Sequence, residues 1–119
     1  MKKLPNSEFE IMKTIWTCQP PITSKMLAEK LDNKWKAQTI LTLLHRLVDK
    51  GFLDTEKVGK ERTYTPKIGE NEYLEFETGN FMGTFHNNSL TGLMNTLYDG
   101  KNMTEEDVDE LMEWIKSKR

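Results

Sequence analysis

Residues 34–66 read KWKAQTILTLLHRLVDKGFLDTEKVGKERTYTP, and their pattern decides the fold. Ile40, Leu43, Leu44 and Leu47 fall at i, i+3, i+4 and i+7, one apolar stripe of a helix. That helix is expected from Lys36 to Lys50, where Gly51 can take the left-handed conformation that ends it. Lys50 sits favourably at the negative helix end. Two β-type runs follow, Phe52 to Val58 and Glu61 to Thr65. Gly59-Lys60 between them is a two-residue turn signal, so the runs are expected to pair as a hairpin.

Upstream lie two shorter helical segments. Asn6 or Ser7 is expected to cap the first, and Ser7 to Glu10 has capping-box spacing. Phe9, Met12, Ile15 and Trp16 give its stripe, and it should stop near Thr17, before Pro20-Pro21. Ile22 fits a very short strand against the hairpin. Thr23 or Ser24 caps a second helix, with Met26, Leu27 and Leu31 expected inward. Asp32 to Trp35 is a tight turn. The order is helix, link, helix, turn, helix, hairpin, which is the order of a winged helix-turn-helix over residues 1–67.

Residues 68–119 read as three more helices. The fourth opens at Gly69 or Asn71 and carries Leu74, Thr78, Phe81 and Phe85 as its expected stripe, with Gly79 and Gly83 interrupting it. Ser89 caps a fifth, striped by Leu90, Leu93, Met94 and Leu97. Thr104 opens a sixth through T-E-E-D, a capping-box-like start, with Val108, Leu111, Met112 and Ile115 as its stripe. The fold class is therefore mainly α with a small β-hairpin: an N-terminal winged helix-turn-helix and a C-terminal three-helix lobe. About 45 residues of helix hardly hold a core alone. The eight stripe residues of the last two helices are therefore expected to form a homodimer interface. The competing arrangement is a monomer with these helices folded back on the first lobe.

With 30% charged residues and no run of 18 apolar ones, no transmembrane helix is expected. The start MKKLPNSEFE lacks the apolar stretch of a signal peptide, so a cytoplasmic location is expected. A single cysteine, Cys18, excludes an intramolecular disulfide and a multi-cysteine metal site; it reads as a small, partly buried filler. The net charge of -2 is unevenly spread. Residues 1–66 hold 12 Lys/Arg against 8 Asp/Glu, and residues 67–119 hold 5 against 11. The basic half is the half with the third helix, which suits a nucleic-acid partner there and a protein partner elsewhere.

No enzyme constellation, metal site or cofactor motif is present in the sequence. His45 and His86 lack ligand spacing with each other or with Cys18, and His45 is expected at the surface of the third helix. The candidate functional residues lie on that helix and on the hairpin. Lys36, Ala37, Gln38, Thr39 and Thr42 occupy the turns expected to enter a DNA major groove. A glutamine can bond adenine bidentately, and threonine or alanine can touch a thymine methyl. Arg46, one turn on, suits a phosphate. Leu41 is off the core stripe and either packs on the hairpin or meets a thymine methyl. Lys57, Lys60 and Arg62 are expected to hold backbone phosphates.

Four runs carry a family resemblance. EFEIMKTIW (Glu8 to Trp16), WKAQTILTLLHRLVDKGFL (Trp35 to Leu53), the hairpin ending RTYTP, and MTEEDVDEL (Met103 to Leu111) resemble the penicillinase and methicillin-resistance repressors, the BlaI/MecI family. The resemblance spans nearly the whole chain and is specific in the first and third helices. It implies a homodimeric transcriptional repressor on an inverted-repeat operator with TACA/TGTA-like half-sites. It also implies a membrane-bound sensor metalloprotease as a partner, and release from DNA by cleavage in the dimerisation lobe, in the setting of antibiotic resistance. Thr39, Thr42 and Arg46 match the family helix by position, whereas Ala37 replaces its proline and Gln38 its lysine. The family's scissile Asn-Phe bond aligns near Asn95, Thr96 and Leu97. The only Asn-Phe pair here, Asn80-Phe81, lies one helix earlier. The paired C-terminal cysteines of the family's copper-responsive branch are absent. Two other functions remain open on the residues alone: a repressor sensing a small ligand at the aromatic fourth helix, and a winged-helix protein–protein adaptor.

Overall fold

The computed structural model describes residues 1–119. It contains six helices and a small antiparallel sheet: α1 (Asn6–Ile15), β1 (Ile22–Thr23), α2 (Ser24–Lys30), α3 (Ala37–Asp49), β2 (Leu53–Val58), β3 (Glu61–Pro66), α4 (Glu70–His86), α5 (Leu90–Asp99) and α6 (Glu105–Lys118). The sheet order is β1-β3-β2. The chain divides into two compact units, Met1–Phe76 and Glu77–Arg119.

The stripe of α3 is what builds the first unit. Ile40, Leu43, Leu44 and Leu47 are all buried, together with Ile11, Met12 and Ile15 of α1 and Leu27 of α2. Lys50 caps α3, and Gly51 follows at φ +81°, the left-handed value that turns the chain toward β2. The hairpin register pairs Val58 with Glu61 across Gly59 and Lys60, with Gly59 at φ +66°. Ile22 pairs with Tyr64, so the short strand after the prolines closes the sheet. Thr23 supplies the cap of α2, its Oγ1 accepting from the Met26 amide at 3.2 Å.

The first unit runs to Phe76 because Tyr73 belongs to its core. Tyr73 is fully buried, and its hydroxyl accepts from the Leu4 amide at 2.7 Å. Its ring lies 5.5–6.1 Å from those of Phe9, Trp16, Phe52 and Phe76. The Trp16 indole N–H donates to the Ile68 carbonyl at 3.0 Å, which ties α1 to the link before α4.

Four expectations are corrected here. The Ser7–Glu10 capping box does not form: α1 begins at Asn6, behind Pro5, without a side-chain cap. Glu10 is drawn instead to the Lys34 ammonium, with N–O distances of 2.9 and 3.0 Å. Met26 is not inward; it is 36% exposed, because the seven-residue α2 presents Leu27 as its one fully buried position. On α4 the stripe Leu74, Thr78, Phe81 and Phe85 is exposed, and the neighbouring Tyr73 is the buried residue. Gly79 and Gly83 do not interrupt that helix, which is continuous from Glu70 to His86. A glycine costs about 1 kcal/mol in a helix interior, which flanking helical residues can absorb.

In the second unit, Asn87 and Asn88 at φ +50° and +59° end α4. Ser89 Oγ accepts from the Gly92 amide at 2.9 Å and starts α5. Thr104 and Asp107 form the full reciprocal capping box of α6. Neither α5 nor α6 has a single buried residue. No helix is long and apolar enough to cross a membrane.

Candidate nucleic-acid interface

The face of α3 opposite its leucine stripe is solvent-facing along its whole length. Lys36 caps the helix start, and Lys36, Ala37, Gln38, Thr39, Thr42 and Arg46 are all exposed. These positions follow from the period of the helix: with Ile40, Leu44 and Leu47 inward, residues 38, 42 and 46 point away. Thr42 Oγ1 donates to the Gln38 carbonyl at 3.0 Å, so its hydroxyl is satisfied along the helix and its methyl remains on the outer face. On the hairpin, Lys57, Lys60 and Arg62 are likewise exposed.

Ion pairing separates two groups of cations. Lys34 pairs with Glu10, Lys50 with Glu8 and Lys67 with Asp54. Lys36, Arg46, Lys57, Lys60 and Arg62 pair with no carboxylate. The five candidate cations of α3 and the hairpin therefore keep their full charge available to an external anion. His45, at the surface as expected, lies 3.4 Å from Asp49 one turn on.

Two further residues hold α3 in place. Glu8 is 2% exposed, the one buried charged residue, and it meets the Lys50 ammonium at the end of α3. The pair joins the positive start of α1 to the negative end of α3. Glu10 and Lys34 fix the turn before α3 from the same helix. Neither pair was legible in advance, because the partners lie 42 and 24 residues apart in sequence. Cys18 is half-buried, with its thiol donating to the Thr14 carbonyl at 3.4 Å.

Comparison with known proteins shows the family and the fold of the first unit. The model of the family described as penicillinase repressor matches residues 4–117. The chain belongs to the penicillinase repressor family. Among its relatives is the penicillinase repressor of Bacillus licheniformis, 32% identical over 98% of this chain and 94% of that protein. The methicillin resistance regulatory protein MecI of Staphylococcus aureus is 23% identical over 98% of this chain and 95% of its own length. A solution structure of the DNA-binding domain of the repressor BlaI matches with 37% identity and a TM-score of 0.52, covering 61% of this chain and 94% of that domain. A second, the monomeric form of Bacillus licheniformis BlaI in complex with the blaP half-operator, matches with 35% identity and a TM-score of 0.50, covering 60% of this chain and 89% of that one. This family member thus shares with BlaI the winged-helix fold that carries the α3 face and the hairpin.

Proposed function

We infer that this penicillinase-repressor-family chain is a sequence-specific DNA-binding transcriptional repressor, acting as a homodimer on an inverted repeat. One observation carries the reading: α3 and the hairpin expose five cations that pair with no carboxylate, in a chain whose relatives include a penicillinase repressor and one solved on a half-operator. Gln38, Thr39 and Thr42 read base edges in the major groove, with Ala37 against a thymine methyl. Lys36, Arg46, Lys57, Lys60 and Arg62 hold phosphates and set the register. The first lobe, residues 1–67 with the first turns of α4, binds DNA, and the remaining helices hold two chains together.

The dimer reading rests on the apolar faces of α5 and α6. Leu90, Val108, Met112 and Ile115 are exposed, and Leu93, Met94, Leu97 and Leu111 are only half-covered. A second copy of the same faces would remove them from water and link two reading helices. A chain cut within residues 95–97 would lose α6 from that interface. Asn95 and Thr96 are exposed on α5, and Thr96 Oγ1 donates to the Gly92 carbonyl at 3.1 Å, so a protease such as a membrane-bound sensor metalloprotease would have to unwind α5 there.

The test is footprinting of the chain on DNA from its own upstream regions, followed by gel shift of the protected site against scrambled sequence. A two-fold symmetric footprint with binding at least 10³-fold tighter than to random DNA is expected. Equal binding to both duplexes at every salt concentration would refute sequence-specific repression.

A further inference from the structure

The first turn of α3 carries residues assigned to base reading, yet it lacks the local devices that fix a helix start. Lys36 stands at its N-cap without a side-chain hydrogen bond, and no acidic residue lies in its first turn. Helices α2, α5 and α6 each have such a bond, from Thr23, Ser89 and Thr104. The turn that leads into α3 is itself costly. Asp32 and Asn33 stand at φ +52° and +56°. Aspartate and asparagine reach the left-handed region more readily than most residues, but two in succession persist only where neighbouring contacts hold them. The backbone bonds of this turn run back to α2 and its C-cap. The Asp32 amide donates to the Glu29 carbonyl, Asn33 to Ala28 and Lys34 to Leu31, at 2.9–3.1 Å.

What holds the turn from α1 is a side chain. The Lys34 ammonium meets both carboxylate oxygens of Glu10, at 2.9 and 3.0 Å, and lies 5.1 Å from the centre of the Trp35 ring. Trp35 is half-buried and packs against the core of the first unit. A path of contacts thus runs from α1 through Glu10, Lys34 and Trp35 to Lys36 and Ala37, where α3 begins. In sequence Lys34 and Lys36 look alike. In the structure Lys34 is committed to α1, while Lys36 pairs with no carboxylate.

We propose that Glu10 and Lys34 are positioning residues for base reading: they set where the first turn of α3 stands, and Lys34 holds no phosphate. The proposal rests on the DNA-binding reading above and adds to it residues that touch no DNA. Ala37, Gln38 and Thr39 directly follow the clamped turn, so its displacement moves them together. Base contacts depend on hydrogen-bond geometry in the groove, whereas non-specific binding comes from charge alone. Loss of the clamp therefore lowers binding to the operator and spares binding to random DNA. The pair is partly exposed, and pairs of that kind add little to stability, so its effect is on position.

The experiment measures full-length chains on the footprinted operator and on a random duplex of equal length, across a salt series. Lys34→Gln should weaken operator binding by about threefold to tenfold, the span that one exposed ion pair and one exposed cation–π contact allow. Its binding to the random duplex, its salt slope and its thermal unfolding should match wild type. Lys34→Arg, which can remake both contacts, should keep operator binding. Exchanging the charges, Glu10→Lys with Lys34→Glu, should give a higher operator-to-random ratio than either change alone, since the pair is remade in reverse. Equal losses on both duplexes with a slope lower by about one unit in Lys34→Gln would make Lys34 a phosphate contact and overturn the proposal. So would unchanged operator binding in Lys34→Gln, a large fall in its unfolding temperature, or no recovery of the ratio in the exchanged pair. A wild-type chain that binds operator and random duplex alike would overturn the sequence-specific reading itself, and this proposal with it.

Discussion

Replacing Tyr73 should destabilise the first unit, because the residue sits at the centre of its aromatic cluster. Its ring is fully buried among Phe9, Trp16, Phe52 and Phe76. A tyrosine buries about 150–250 Å². At roughly 25 cal/mol per Å² that is ~4–6 kcal/mol as an upper bound. Aromatic-to-alanine changes in cores cost about 3–5 kcal/mol, which sets the expectation for Tyr73→Ala. Tyr73→Phe keeps the ring and removes the hydroxyl that accepts from the Leu4 amide. A buried donor left unpaired costs about 1–3 kcal/mol. Against a domain stability of about 5–15 kcal/mol, the alanine variant should lose a large fraction and the phenylalanine variant a minor one. Urea unfolding of the full chain, followed by circular dichroism and by tryptophan fluorescence, gives both values. Equal midpoints for wild type and Tyr73→Ala would refute the anchoring of α4 in the first unit. A Tyr73→Phe loss as large as that of alanine would refute the division between ring and hydroxyl.

Lys50→Ala should leave the Glu8 carboxylate buried and unpaired, at a cost of about 3–5 kcal/mol, while a double change to Glu8→Gln and Lys50→Met should recover much of it; a double-mutant cycle in urea measures both. Gln38→Ala or Thr42→Ala should weaken operator binding by about 1–3 kcal/mol and leave random DNA unaffected, which paired gel shifts check; equal losses would show that neither reads a base. Lys60→Ala should weaken all duplexes alike and lower the salt slope by roughly one unit, measured by salt-titrated anisotropy. A chain ending at Asn95 should sediment as a monomer and bind the operator about 10²-fold or more weakly, because two linked modules meet their half-sites at an effective concentration of roughly millimolar. Retained dimerisation and affinity would remove α6 from the interface.

What the sequence disclosed were the features written in local periodicity and turn chemistry. The Ile40–Leu47 stripe, Gly51 and the Gly59-Lys60 turn each fix a conformation within a few residues, and all three hold in the structure. The T-E-E-D start of α6 also formed its capping box. The S-x-x-E start of α1 did not, because Pro5 already begins the helix and Glu10 has a stronger partner in Lys34. That competitor lies 24 residues away, beyond any local rule. The same limit hid Glu8, since spacing alone does not mark a carboxylate as buried. On α4, Tyr73 and Leu74 are adjacent, and their order of burial depends on the aromatic cluster waiting in the first unit. The candidate reading residues were legible because they are the complement of the core stripe on α3. Only the outer ends of the hairpin differ, by one residue each: β2 begins at Leu53 rather than Phe52, and β3 ends at Pro66 rather than Thr65.

Selection of duplexes from a random library by the full-length chain tests the central claim most directly. A dimeric, groove-reading repressor should enrich an inverted repeat, with half-site centres separated by about one helical turn or a whole multiple of it. Gln38 and Thr42 variants should relax the enriched bases within each half-site while keeping that spacing. Enrichment of a single unsymmetric site would contradict the dimer, and no enrichment over the starting library would contradict sequence-specific DNA binding altogether.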